Sequence, residues 1–262
     1  MTAGGKWADL GPRLASGLAM VVIGAGAIWV GGAWFTALAV VASGLMVWEL
    51  AAMMRPGSPA AVPLGLAAAL AVLVALILPD RAALVLLALP ALAGALVLKR
   101  DPAIFALYGL GIMLAAWGLV VFRGEYGVVW LIWLVLVVVV TDIAGYFAGR
   151  LLGGPKFWPR VSPKKTWSGT VAGWVAAALV GSIFWRFTTA GPDLPWISAA
   201  LALASQMGDI AESAIKRRMG VKDSSSLIPG HGGLLDRFDG LLGAALLMLL
   251  VAQIVIVPEV RL

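Results

Sequence analysis

Apolar runs of about twenty residues, interrupted by glycine, proline and charge, recur along the whole chain, and a helix needs about that length to cross roughly 30 Å of hydrocarbon. Within lipid every backbone N–H and C=O must be satisfied inside the segment, so such runs are helices. We count nine, over residues 14–33, 35–54, 60–79, 82–98, 103–122, 127–147, 169–189, 195–215 and 240–257, with the fourth the shortest. Hydrophobic side chains make up 62% of the chain and charged ones 12%, against about 45–50% and 25% in soluble domains. The first run is too long for the 7–15-residue core of a cleaved signal peptide and is read as a first span. The expected fold is all-α, a polytopic transmembrane protein of about nine helices.

Lysine and arginine set the orientation, because short cytoplasmic loops carry the excess. With nine spans and a cytoplasmic N-terminus, the inside set is Lys6, Arg13, Arg55, Lys99, Arg100, Arg150, Lys156, Arg160, Lys164, Lys165, Lys216, Arg217, Arg218, Lys222 and Arg237. The outside set is Arg81, Arg123, Arg186 and Arg261. This split of 15 to 4 supports both count and orientation, since removing one middle span would invert every later loop. The two longest loops, 148–168 and 216–239, then face the cytoplasm. The net charge of +6 is spread over short membrane loops and gathers on no single domain, which argues against nucleic acid.

The chain has no cysteine, which excludes disulfides, thiolate metal sites and a cysteine nucleophile. Spans one to five are Ala-, Leu-, Val- and Gly-rich, with Glu49 the sole carboxylate well inside an apolar run, and read as scaffold. Residues 1–125 are therefore expected to support a C-terminal catalytic region, 126–262.

Ionisable side chains within spans usually face a polar cavity or one another. Asp142 and Tyr146 lie one turn apart near the end of span six, and Asp209, Glu212, Ser213 and Lys216 form a stripe at three- and four-residue spacing on span eight. One reading has these carboxylates pair with Lys216, Arg217 or Arg150 as helix glue. The other draws on the loop that follows, where Lys222-Asp223-Ser224-Ser225-Ser226 precedes Pro229-Gly230-His231-Gly232-Gly233 and Asp236-Arg237-Phe238-Asp239. Glycines let backbone N–H groups approach phosphate, and basic side chains neutralise it. Clustered carboxylates with one histidine suit a hard, oxygen-preferring cation such as Mg²⁺. The second basic loop, Ser162-Pro163-Lys164-Lys165-Thr166, precedes a helix N-terminus and reads as an anion site or as a positive-inside anchor.

These residues resemble the phosphatidate cytidylyltransferase family, also called CDP-diacylglycerol synthases. Ser213, Lys216, Arg217, Lys222, Asp223, Pro229, His231, Gly232, Gly233, Asp236, Arg237 and Asp239 fill the family's stretch in order and spacing. A dozen fixed positions over 27 residues is a specific signal. Ser162 to Thr166 and Asp142 to Arg150 also match, so the resemblance covers roughly 127–257. Two positions depart. Ser168 stands where members commonly carry Glu, and Gly145-Tyr146 where Ala-Tyr is common; if that Glu serves nucleotide or metal, this chain needs a substitute.

The resemblance implies transfer of a cytidylyl group from CTP to phosphatidate, giving CDP-diacylglycerol and pyrophosphate at a bacterial inner membrane, in two cytoplasmic catalytic loops. It implies Asp209 and Asp236 as ligands of Mg²⁺; Asp142, Glu212 or Asp239 are read beside them as additional ligands, with a second, monovalent cation as an option. Lys164, Lys165, Lys216, Arg217 and Lys222 would neutralise phosphates. Ser162, Thr166, Ser213, Asp223, Gly232, Gly233 and Arg237 complete the substrate-binding set. His231 either moves a proton or fixes its turn. The partners are CTP, phosphatidate and the bilayer, with a homodimer left open. A CTP-dependent lipid kinase is the nearest rival, and a transporter the rival from another class.

Overall fold

A computed structural model describes residues 10–258. Among them run nine α-helices: α1 (Leu10–Val30), α2 (Gly32–Met54), α3 (Ala61–Ala75), α4 (Asp80–Leu98), α5 (Pro102–Tyr126), α6 (Val128–Leu151), α7 (Trp167–Phe187), α8 (Leu194–Met219) and α9 (Leu235–Val251). A two-stranded hairpin, β1 (Lys156–Trp158) and β2 (Ser162–Thr166), stands between α6 and α7. The chain is thus an all-α polytopic membrane protein. Six of these helices are long and apolar enough to cross a membrane. Large apolar side chains such as Ile77, Leu96 and Leu107 point outward, a surface that water would penalise and lipid solvates.

The structure corrects several expected boundaries. The shortest helix is α3, with 15 residues, not the fourth, which has 19. The stretch 148–168 is not a plain loop, since it holds the end of α6 and the hairpin. Lys216 and Arg217 are helical, on α8, and Asp236, Arg237 and Asp239 occupy the first turns of α9, so the connecting loop shrinks to 220–234. Lys6 and Arg261 lie outside the described residues.

The chain forms two compact units, one running to Trp117 and including Arg218–Phe238, the other comprising Gly118–Arg217 and the chain from Asp239 onward. In the first unit, α2 and α3 touch backbone to backbone: a Cβ on Gly65 would lie 2.7 Å from the Gly44 carbonyl oxygen. Small residues allow this approach, which supplies the dispersion contacts that hold helices together in lipid. Phe105 of α5 is fully buried against Gly94 of α4.

The short α4–α5 connection places Lys99 and Asp101 at positive φ, 57° and 44°. The Arg218 guanidinium bonds the Asp101 carboxylate and holds it below the usual carboxylate range. A lowered folded-state value means this pairing stabilises the protein above the unfolded value, near pH 4, and is lost as pH falls through the folded one. Asp101→Asn should therefore flatten the acid-side decline in melting temperature, and less so in high salt. Equal slopes for parent and variant would remove the ion pair from the account.

In the second unit, α6 and α7 approach at Gly145 and Gly169, where a Cβ on Gly145 would lie 3.3 Å from the Gly169 oxygen. The departure at Gly145 thus has a local physical sense, the close passage of α7. Helices α8 and α9 meet at Gly208 and Gly243, with a Cβ on Gly243 falling 3.0 Å from the Gly208 Cα. Trp133 Nε1 donates to Ser198 Oγ at 3.0 Å, tying α6 to α8.

Candidate active site

In the second unit, the α6–α7 close approach and the hairpin frame a cavity of about 330 Å³ whose lining includes several charged side chains. Asp142, Tyr146 and Arg150 of α6 line it, together with Lys164, Lys165 and Thr166 of β2 and Gln206 of α8. The hairpin is antiparallel, pairing Lys156 with Thr166 and Trp158 with Ser162, with a register irregularity between the pairs. Pro163, which has no N–H to give a ladder, falls in that irregular stretch. Phe157 packs edge-on against Trp167 at 4.7 Å between centroids.

Thr166 ends the strand and caps α7, its Oγ1 accepting from Gly169 N at 3.2 Å. Ser168 donates to the Gly153 carbonyl and lies 3.0 Å from Thr166 Oγ1. The position where the family commonly carries Glu is thus occupied here by a side chain that closes the 153–168 segment.

Lys165 Nζ lies 2.5 Å from Asp209 Oδ2 and 3.4 Å from the Gln206 carbonyl oxygen, to which it donates. Ser213 Oγ donates to Asp209 Oδ1 at 3.2 Å. Gln206 is held from both ends, accepting from Trp174 Nε1 at 3.0 Å and donating to the Thr170 carbonyl at 3.3 Å. Lys216 pairs with the fully buried Glu212 at 2.5 Å, one turn along α8. Asp239 accepts from Gly240 N at 2.7 Å. Asp142, Asp209 and Asp239 lie near enough to feel one another's charge, as do Lys165 with Asp142 and Lys216 with Asp239. The Glu212–Lys216 pair lies within α8 and joins no second helix, whereas Asp209 reaches the lysine of another element.

In the first unit, the loop 220–234 turns back on itself. Ile228 N donates to the Gly232 oxygen at 2.8 Å and His231 N to the Ile228 oxygen at 2.9 Å. Gly230 and Gly232 take φ of 74° and 85°, a region that disfavours side chains. His231 Nδ1 is 2.8 Å from Ser16 Oγ, and Arg237 Nε donates to the His231 carbonyl at 3.0 Å. Asp236 Oδ2 accepts from Ser224 N (2.9 Å), Ser224 Oγ (2.9 Å) and Gly233 N (2.7 Å). Asp223 and Asp236 flank Gly232, whose Cβ would meet Asp236 Oδ2 at 2.8 Å and Asp223 Cβ at 3.4 Å. Lys222 lies on the same loop, and Ser162 on β2.

Two anchors of this loop come from helices read as scaffold. Ser16 of α1 holds the histidine turn, and Glu49 of α2 accepts from Ser225, Leu234 and Leu235. For Ser16 the sequence offered no signal; for Glu49 the signal was a carboxylate alone in an apolar run.

Among the described residues no three His, Asp or Glu side chains converge as a ready-made metal group. The Asp142, Asp209 and Asp239 donors fit Mg²⁺ in kind, being hard oxygens whose mutual repulsion a cation relieves, and Mg²⁺ is commonly held by one or two carboxylates with phosphate oxygens completing its shell.

The model of the cytidylyltransferase family matches residues 12–255, nearly the whole chain. The chain belongs to that family. It is 47% identical over 151 residues to the phosphatidate cytidylyltransferase of Brucella suis biovar 1 (strain 1330), 56% of each chain. It is 42% identical over 124 residues to that of Helicobacter pylori (strain ATCC 700392 / 26695), 47% of this chain and 46% of the relative. Against that of Bacillus subtilis (strain 168) it is 41% identical over 123 residues, 45% of each. The chain thus matches about half the length of these curated relatives.

Proposed function

We propose that this protein transfers the cytidylyl group of CTP to phosphatidate. A phosphate oxygen of phosphatidate attacks the α-phosphorus of CTP, the bond from that phosphorus to its bridging oxygen toward the β-phosphate breaks, and pyrophosphate leaves. The nucleophile belongs to the substrate, so the protein has to position groups and neutralise charge. The observation that carries this reading is the cavity of the second unit, where Arg150, Lys164 and Lys165 gather beside Asp142 in an otherwise apolar helical setting. Three cations around one cavity suit a polyphosphate better than a neutral solute. Lys216, Arg217 and Lys222 are assigned to further phosphate oxygens by the family motif.

A divalent ion, when bound, would neutralise phosphate charge. We assign it to Asp209, with Asp142 or Asp239 as a second ligand; Asp236 keeps the assignment on the motif alone, and Glu212 only on its place in the α8 stripe. The monovalent cation is assigned no residue. The excess of Lys and Arg in one set of loops supports a cytoplasmic site, and the bacterial relatives support a bacterial inner membrane.

Purified protein in detergent, given phosphatidate and CTP with Mg²⁺, should form a cytidylylated lipid and release pyrophosphate, and a chelator should stop it. Release of CDP in place of pyrophosphate would convert the reading to a lipid kinase, and no turnover of either kind would reject it.

A further inference from the structure

Helix α9 begins without a side-chain cap of its own. The residues that lead into it, Gly233 and Leu234, offer no side-chain oxygen, yet the first N–H groups of a helix need acceptors. Glu49, from the C-terminal part of apolar α2, meets that need: Oε1 accepts from Leu234 N at 2.8 Å and Oε2 from Leu235 N at 2.7 Å. Ser225 Oγ donates to Oε1 at 2.6 Å, and Ser224 Oγ lies 3.4 Å from Oε2. Glu49 is 0% exposed. A carboxylate so buried is tolerated only when its lone pairs are filled, and an anion at a helix N-terminus is favoured by the helix dipole. Gly233 makes the approach feasible, since a Cβ there would lie 2.6 Å from Glu49 Oε1.

The same contacts reach Asp236. Its Oδ2 accepts from Ser224 and Gly233, which lie in the segment that Glu49 fastens. We propose that Glu49 is a positioning residue: a cap supplied to α9 by α2 that sets the Gly232–Asp236 turn in its working geometry. The capping half rests on the contacts above, and the consequence for turnover rests on the cytidylyl-transfer reading.

The test compares full-length protein in detergent with Glu49→Gln, which keeps the shape but swaps one acceptor oxygen for a donating NH₂. Amide hydrogen exchange over residues 224–235 should quicken about tenfold, the scale of a lost cap. The apparent constants for CTP and Mg²⁺ should rise by about the same factor per folded molecule. Ser43→Ala removes another buried polar group of α2, one whose hydrogen bond among the described residues runs back to Val40, and should move neither readout. If Glu49→Gln does not accumulate, Ser225→Ala takes its place with a several-fold increase in exchange expected. Parent-like exchange in the variant overturns the cap, and faster exchange with unchanged apparent constants overturns the positioning role. A parent without CTP turnover would sink the cytidylyl-transfer reading and leave the cap to be decided by exchange alone.

Discussion

Asp209→Asn is expected to lower CTP-dependent pyrophosphate release by about a hundred- to a thousandfold, the usual loss when one preorganised charge at a reacting centre is removed. The substitution keeps the size and planarity of the side chain, so Ser213 still finds an acceptor where it now donates at 3.2 Å. It removes the negative charge that faces Lys165 at 2.5 Å and, on the proposed assignment, the hard oxygen that a divalent ion requires. Stability should change by less than about 1 kcal/mol, because both partners are partly exposed and such pairs contribute little. Turnover per mole of folded protein and a melting curve separate the two effects. More than a tenth of parental turnover would strip Asp209 of its role.

Gly208→Leu should act through packing and abolish both folding yield and turnover. A Cβ at Gly208 would press on the Asp239 carbonyl and come 3.1 Å from Gly243 N. These are backbone atoms of α9, and they can yield only if α8 and α9 separate, which overpacked interiors resist at about 1–3 kcal/mol for modest insertions and more for a full leucine. The next residue is Asp209, and the carbonyl struck belongs to Asp239, so both carboxylates would shift with the helices. Gly208→Ala grades the effect, with an expected destabilisation of about 1–3 kcal/mol in a detergent melt. A parental melting temperature for the alanine variant would show that the helices have slack at this crossing.

The helices were legible because hydrophobic length is nearly the whole code for a membrane span. Their polar ends were not. Asp236, Arg237 and Asp239 belong to α9, and Lys216 and Arg217 to α8, yet a run of apolar residues stops where charge begins, although the helix continues beyond it. The hairpin was hidden for a different reason: its strands are short, rich in lysine and interrupted by Pro163, so no alternation marks them. The motif residues near the cavity could be named in advance, but the coupling of Lys165 to Asp209 required two elements to fold side by side. Glu49 was conspicuous as a lone charge, but its partner Ser224 lies 175 positions along the chain, a distance across which periodicity carries no information.

Thr166 is at once the last residue of β2 and the cap of α7. The backbone that carries Lys164 and Lys165 therefore cannot wander independently of a 21-residue helix. With Lys165 already held by Asp209, an anion arriving at Lys164 would have to still only that side chain, about 2 kcal/mol of rotamer entropy at most, and none of the backbone freedom that an unstructured basic loop would surrender.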